Sequence, residues 1–460
     1  MRSRDRWQTL QRQARFEAFE ERLALSAQPL GDFFLDGSER IEQLYGELAP
    51  ASNDVHESTG VNYVRDTFGF QGNGQTVAII DSGIAYDHYA LGGGIGTGYR
   101  VVGGWDFAEG DGNPYDDAPA GFHGTHVAGI VGSDNATYRG VAPEVDLVAL
   151  RVFDDNGAGY LSWVESALQW VHDNRNAFEN PITTVNLSLG TNWNADSVPA
   201  WATLEEEFAQ LETDGIFISV SAGNAFANVN NTPGLSYPAA SPYVVPVASV
   251  DNDGSLSYFS QRNSRALAAP GRSITSTVPD YVFGSDGVPN DFGTASGTSM
   301  AAPYVAGASV LVREAMEFLG FQNITQDTIY EQFRTTADII HDAATNADYY
   351  RIDVQSALDA LMPDDDYGST VETAYSLGTL TTETSLSGLI GTLDDVDYFT
   401  FTAGATGTVS MTVQATYDLD PIWDLVEGNA TVDGDAMALD VVAGQTYAVS
   451  LGTDDGIGFY

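Results

Sequence analysis

Four short runs in this chain are apolar at nearly every position: Thr76-Val-Ala-Ile-Ile80, Val145-Asp-Leu-Val-Ala-Leu150, Thr184-Val-Asn-Leu187 and Gly215-Ile-Phe-Ile-Ser-Val220. A strand with one wet face alternates apolar and polar residues. A strand that is apolar throughout is buried on both faces, as in a parallel sheet covered by helices. Stretches of helical spacing, over residues 161–171 and 201–211, lie between these runs. Strand and helix in alternation predict an α/β layered domain with a mainly parallel central sheet. In such sheets functional groups collect in the loops at the carboxyl ends of the strands.

The 460 residues exceed what one hydrophobic core organises, so more than one domain is expected. A last helix is predicted over 351–361, and Pro363-Asp-Asp-Asp-Tyr-Gly368 reads as a linker after it. Beyond it the chain turns rich in Thr, Ser, Gly and Val, and Asp397-Tyr-Phe-Thr-Phe-Thr402 alternates strictly. Short alternating strands between turns predict a small β-sandwich over 362–460. Gly456-Ile-Gly-Phe-Tyr460 reads as a turn lacking its following strand, so an incomplete, truncated sheet edge is expected there. No apolar run reaches about 18 residues, so no membrane-spanning helix is expected. Cysteine is absent, which excludes disulfides and thiolate metal sites.

Charge is extreme: 64 acidic residues against 18 basic give a formal net charge of −46. Every basic residue is Arg, and six arginines fall between Arg2 and Arg22. A polyanion of this kind is not expected to bind nucleic acid or anionic lipid. It suits a solvated surface in salty surroundings, or a field that steers basic substrates. Residues 1–27 lack the continuous apolar stretch of a secretory signal. They do resemble a short N-terminal motif of large exported proteins of planctomycete bacteria, through Phe16-Glu-Ala-Phe-Glu-Glu-Arg22-Leu-Ala-Leu-Ser-Ala27. That resemblance implies a secreted or cell-surface location. Residues 28–59 are left as a pro-region or linker.

Three motifs carry chemistry. Val77-Ala-Ile-Ile-Asp81-Ser-Gly83 is a buried strand ending in an acid and a turn. His123-Gly-Thr-His-Val-Ala-Gly129 opens a helix of small residues, and Gly297-Thr-Ser299-Met-Ala-Ala-Pro303 places a serine before a helical stretch. Acyl transfer needs a hydroxyl nucleophile, a base, and a carboxylate that holds the base's tautomer. One of each stands here at an element terminus. The chain order Asp, His, Ser separates this set from the chymotrypsin and α/β-hydrolase orders, and no G-x-S-x-G elbow is present. Asp81-Ser-Gly83 could open an aspartic-protease loop, but that chemistry needs a second such carboxylate and none follows. A lone helical His usually packs, which is the expectation for His126.

From about residue 60 to residue 361 these blocks resemble the subtilase family of serine proteases (peptidase S8). The resemblance implies a subtilisin-like three-layer α/β fold and a catalytic triad of Asp81, His123 and Ser299. Ser221-Ala-Gly-Asn224 resembles the family's oxyanion block, which makes Asn224 an oxyanion donor beside the Ser299 backbone N–H. Gly157-Ala158-Gly159 and Ser188-Leu189-Gly190 resemble the two segments between which the family clamps an extended peptide, implying broad specificity for protein or peptide substrates. Phe122 departs from the pattern, which carries a small residue before the histidine.

No organic cofactor is implied. The family's strongest calcium position falls on Ala90 here, so that site is not expected. Asp106, Asp111, Asn113, Asp116 and Asp117 are closely spaced oxygen ligands suited to calcium. Residues 364–370 and 387–399 resemble the pre-peptidase C-terminal domain of secreted bacterial proteases. The resulting expectation is a monomeric, secreted serine endopeptidase. A non-catalytic adhesion or scaffold protein retaining the fold, and an esterase, are the other readings.

Overall fold

The computed structural model describes residues 52–118, 122–155, 157–283, 286–426, 430–433 and 435–460. The Arg-rich segment 1–27 and residues 28–51 lie outside them. The described chain forms two compact units. One comprises residues up to 61 with 71–314 and 322–357; the other comprises 62–70, 315–321 and 358–460. Helices α1 (Ser52–Thr59) and α2 (Val61–Phe68) come first. Part of the expected linker is therefore helical, and His56 of α1 is buried, bonded to the Tyr304 hydroxyl (2.8 Å) and the Arg139 carbonyl (2.8 Å).

The first unit is organised by a nine-stranded sheet in the order β10-β11-β7-β6-β5-β4-β1-β3-β2. The four apolar runs are its centre: β1 (Thr76–Asp81), β3 (Asp146–Arg151), β4 (Ile182–Leu187) and β5 (Phe217–Ser221). With β2 (Val101–Asp106), β6 (Val245–Val250) and β7 (Leu267–Pro270) they pair in parallel. Only β10 (Asp338–Asp342) and β11 (Ala347–Arg351) form an antiparallel hairpin, at the edge. Outside this sheet, β8 (Ile274–Thr277) and β9 (Phe292–Ala295) pair with each other.

Helices cover both faces, which is why the central strands are apolar throughout. Val148, Val185 and Leu187 join Leu168 and Val171 of α4 (Leu161–Asn174) and Phe208 and Leu211 of α5 (Glu205–Thr213) in one core. Before α4 comes α3 (His123–Gly132), and on the sheet's other face lies α6 (Thr298–Phe318). Short polar bridges seal α6 to the strands: Ser219 donates to the Ala302 carbonyl (2.8 Å) and Thr184 meets Ser309 (3.2 Å). After α7 (Gln326–Thr336) and the edge hairpin, α8 spans only Val354–Asp359. The predicted last helix starts late because Arg351 is held in β11. Likewise α5 starts at Glu205 rather than 201, after the buried Leu204.

The second unit is all β beyond residue 374. Its four-stranded sheet runs β12 (Tyr375–Leu380), β14 (Asp397–Ala403), β19 (Thr446–Asp455), β16 (Asp420–Leu425). A second sheet runs β15 (Gly407–Thr412), β18 (Ala436–Val441), β17 (Ala430–Asp433). Both contribute to one core: Phe399, Phe401, Val449 and Leu451 from the first, Leu439 and Val441 from the second. This is consistent with a β-sandwich. Part of the stretch read as a turn is a strand: β20 (Gly458–Phe459) pairs with β13 (Leu389–Ile390), and Tyr460 exchanges hydrogen bonds with Gly388.

One close approach positions α3 against β1. A Cβ on Gly124 would lie 2.1 Å from the Gly83 carbonyl oxygen and 3.1 Å from the Asp81 Cβ. Only glycine lets the helix start there. Gly124→Ala should therefore cost roughly 1–3 kcal/mol by overpacking, whereas Gly112→Ala, whose Cβ would meet only Trp105 at 3.9 Å, should change little. Urea unfolding of both variants checks this, and equal losses would contradict it.

Candidate active site

The strand order β4-β1-β3 puts Asp81 between two other strand ends, with Ile80 paired to Leu187 and Asp81 paired to Arg151. Asp81 is 1% exposed. Its Oδ1 accepts the Ser82 backbone N–H (2.7 Å) and His123 Nδ1 (2.8 Å). An ionised carboxylate only accepts, so Nδ1 carries the proton and Nε2 is left as the basic nitrogen. The α3 start is pinned independently, because Gly124 N donates to Ser82 Oγ (2.9 Å) and Ser82 Oγ donates to Asp116 (2.9 Å). Asp116 is fully buried, and its second oxygen accepts both the backbone N–H and the hydroxyl of Thr125 (2.9 and 2.6 Å).

Ser299 is the second residue of α6. Four residues on, Pro303 has no N–H to return to the Ser299 carbonyl. Ser188, just past β4, supplies the missing donor: its Oγ bonds that carbonyl at 2.8 Å. In return Ser299 Oγ donates to the Ser188 carbonyl at 3.3 Å. Asn186 Nδ2 donates to Ser188 Oγ (3.0 Å) and holds the pair. Among the described residues no hydrogen bond joins Ser299 to His123, a contact that in free enzymes often forms only with substrate. Thr298 fixes Asn224: its N–H and Oγ both donate to Asn224 Oδ1 (2.9 and 3.1 Å). The amide's N–H₂ is thereby left as the free end beside the start of α6, where the helix dipole is positive.

The two substrate-segment candidates emerge from strand ends on either side of Asp81. Ser188-Leu189-Gly190 continues β4. Gly157, Ala158 and Gly159 close a tight loop after β3, with Asp154 N bonded to the Ala158 carbonyl (2.9 Å). His126 packs, as its spacing suggested: Nε2 meets the Ile274 and Gly293 carbonyls at 3.1 and 3.0 Å. Phe122 sits at φ 151°, in the region that favours glycine, without a side-chain cap on α3.

Among the described residues the carboxylates of the acidic loop are met by protein groups, two of them by an arginine 34 to 45 residues away. Buried Arg151 bonds Asp106 (3.0 Å), Asp117 (3.1 Å) and Asp155 (2.5 Å), and its Nε reaches the Phe153 carbonyl (3.0 Å). Asp116 is spent on Ser82 and Thr125. Asp111 accepts the Asn113 N–H (2.9 Å), and Asn113 accepts the Tyr86 hydroxyl (2.7 Å). Ala90 is itself fully buried. Sequence reasoning missed Arg151, which strand register brings in from β3, and Thr298, and it read Asp116 as a calcium candidate rather than as the partner of Ser82 and Thr125.

The model of the subtilase family matches residues 72–369, well over half of the chain. The chain belongs to the subtilase family. Subtilisin E of Bacillus subtilis (strain 168) is 34% identical over 248 residues, 53% of this chain and 56% of that protein. The chain thus spans little more than half the length of that relative. A subtilisin of Bacillus pumilus is 34% identical over 248 residues, covering 53% of this subtilase and 78% of the relative. The major intracellular serine protease of Bacillus subtilis (strain 168) is 32% identical over 270 residues, 57% and 76% of the two chains.

Electrostatics separates the subtilase's two neighbouring histidines. Burial acts to lower the His123 pKa, but the Asp81 charge and hydrogen bond, with Asp116, outweigh it and the net direction is upward. For His126 burial and the nearby His123 win, bringing it down to about 4. Burial raises Asp116 to about 6 against its hydrogen bonds. Imidazole NMR titration should find His123 above the ordinary value of about 6.5 and His126 uncharged at neutral pH. Asp116→Asn removes a negative charge that favours the imidazolium, so the His123 midpoint should fall. A midpoint that stays or rises would refute this balance.

Proposed function

We propose that this subtilase hydrolyses peptide bonds in proteins as a serine endopeptidase. The observation that carries the reading is the Asp81–His123 hydrogen bond at the end of β1, on the strand beside the one whose Ser188 holds Ser299. Ser299 Oγ attacks the scissile carbonyl carbon while its proton passes to His123 Nε2. Asp81 keeps the imidazole in the required tautomer and favours its protonated form. The developing oxyanion is met by the Asn224 amide and the Ser299 backbone N–H, donors already oriented before charge appears. His123 then returns the proton to the departing amine. Water then takes the place of the nucleophile: His123 accepts its proton as it attacks the acyl carbon and returns that proton to Ser299 Oγ as the ester bond breaks.

We assign substrate grip to the segments 157–159 and 188–190, whose backbone groups suit an extended peptide and demand little of its side chains. Broad specificity follows from that mode. The subtilase-like block over 60–361 is taken as the catalytic part and 362–460 as an appended sandwich. The resemblance of residues 1–27 to an export motif favours action outside the cell, as a monomer.

Casein digestion and fluorophosphonate labelling of purified chain and its Ser299→Ala variant test the assignment. Wild type should digest and label. Ser299→Ala should lose about 10⁶-fold in kcat with no label. Asn224→Ala should label more slowly and lose about 10²–10³-fold in kcat, the effect of removing one such donor in a subtilisin. A folded wild type that neither labels nor digests would exclude the mechanism, and ester hydrolysis without protein cleavage would redirect it to small substrates.

A further inference from the structure

We propose that Gln261 is a positioning residue for the hydrolysis, holding the loop that presents Asn224. This rests on the serine endopeptidase reading and deepens it. Asn224 follows Gly223, which stands at φ 106°, in the region that favours glycine. An oxyanion donor is preorganised only if the peptide units leading to it are fixed. The Gly223 N–H donates to Thr298 Oγ (3.1 Å), which fixes the first. The Gly223 carbonyl accepts the Gln261 N–H (2.8 Å), which fixes the second. The Gln261 side chain then closes the space beside the glycine. A Cβ on Gly223 would lie 2.1 Å from Gln261 Oε1 and 2.8 Å from its Cδ. The amide oxygen thus takes the place that a side chain at 223 would occupy.

A glutamine side chain is long and costs entropy to order, so such a contact needs the amide itself to be held. The nitrogen end does this: Nε2 donates to the Trp193 carbonyl (3.0 Å) and to Asn194 Oδ1 (2.7 Å), using both of its protons. Gln261 is 1% exposed, so water does not compete for these bonds. Trp193 and Asn194 lie on the stretch that continues Ser188-Leu189-Gly190, and that stretch is anchored independently. Ala195 and Leu235 exchange backbone hydrogen bonds (3.2 and 3.1 Å), and Asn194 Nδ2 donates to the Thr232 carbonyl (3.3 Å). One buried amide therefore spans from the continuation of a proposed substrate segment to the residue before the proposed oxyanion donor. Its position there, rather than its burial, separates it from a glutamine that only fills the core.

The test is a double-mutant cycle on the full chain, read as kcat and KM on a peptide p-nitroanilide. Gln261→Ala should lower kcat about tenfold with KM within about twofold, since small misplacements of a reacting geometry are costly. Gln261→Met keeps the volume but donates nothing, and should show the same loss. Urea unfolding identifies the folded variants, and the Met variant enters the cycle if the Ala variant does not fold. In an Asn224→Ala background the same Gln261 change should cost less than about twofold, because the donor that it positions is gone. Equal losses in both backgrounds would make Gln261 a structural residue acting elsewhere and overturn the assignment, as would full kcat in both single variants. With wild type active, those results leave the hydrolytic reading standing. A folded wild type that neither labels nor digests would remove both readings together.

Discussion

A carboxylate at the end of a buried strand has to be answered by donors, and much of the site follows from how Asp81 is answered. Strand β1 is covered on both faces, so water cannot reach the Asp81 side chain. The Ser82 N–H and His123 Nδ1 do so at Oδ1, at 2.7 and 2.8 Å, while Oδ2 is buried with no partner among the described residues. For His123 to arrive there, α3 must begin against β1, which requires Gly124 and the Ser82–Asp116–Thr125 chain of hydrogen bonds. The histidine's proton location, its raised pKa and the orientation of Nε2 are consequences of that one contact. Catalytic geometry here follows from how one oxygen of a buried carboxylate is answered.

A second device fixes the nucleophile. Proline near the start of a helix removes one backbone bond, and α6 uses the vacancy as an attachment point. The Ser299 carbonyl that Pro303 cannot serve is taken by Ser188 Oγ, while Ser299 Oγ reaches back to the Ser188 carbonyl. The serine proposed to attack and a segment proposed to hold substrate are therefore tied by reciprocal hydrogen bonds. Each tie joins a short serine side chain to the other residue's backbone carbonyl, which suits preorganised catalysis.

Much of this was legible in the sequence, for a physical reason. Buried parallel strands need apolar residues on both faces, so β1, β3, β4 and β5 announce themselves locally, and the motif residues follow at strand and helix ends. The β10–β11 hairpin escaped notice because its residues, such as His341 and Asp348, face solvent at the sheet edge. In the acidic loop, spacing along the chain shows candidate ligands but not their competitors. Arg151 enters from β3, through strand register, and claims Asp106 and Asp117.

The 18 arginines of this chain are spent unevenly. Arg151, Arg262 and Arg313 are buried, the first two in ion pairs with Asp106 and Asp342 and the third capping the Gly215 carbonyl. Among the described residues every arginine is buried or half-buried while many acids are exposed, so the described surface is strongly anionic. Dissolved ions then act oppositely on the two populations. They screen the mutual repulsion of the surface acids within about 10 Å at 0.1 M salt, but they do not penetrate the dry pairs. Brine should tighten such a molecule where it would loosen one held together by bridges on its surface.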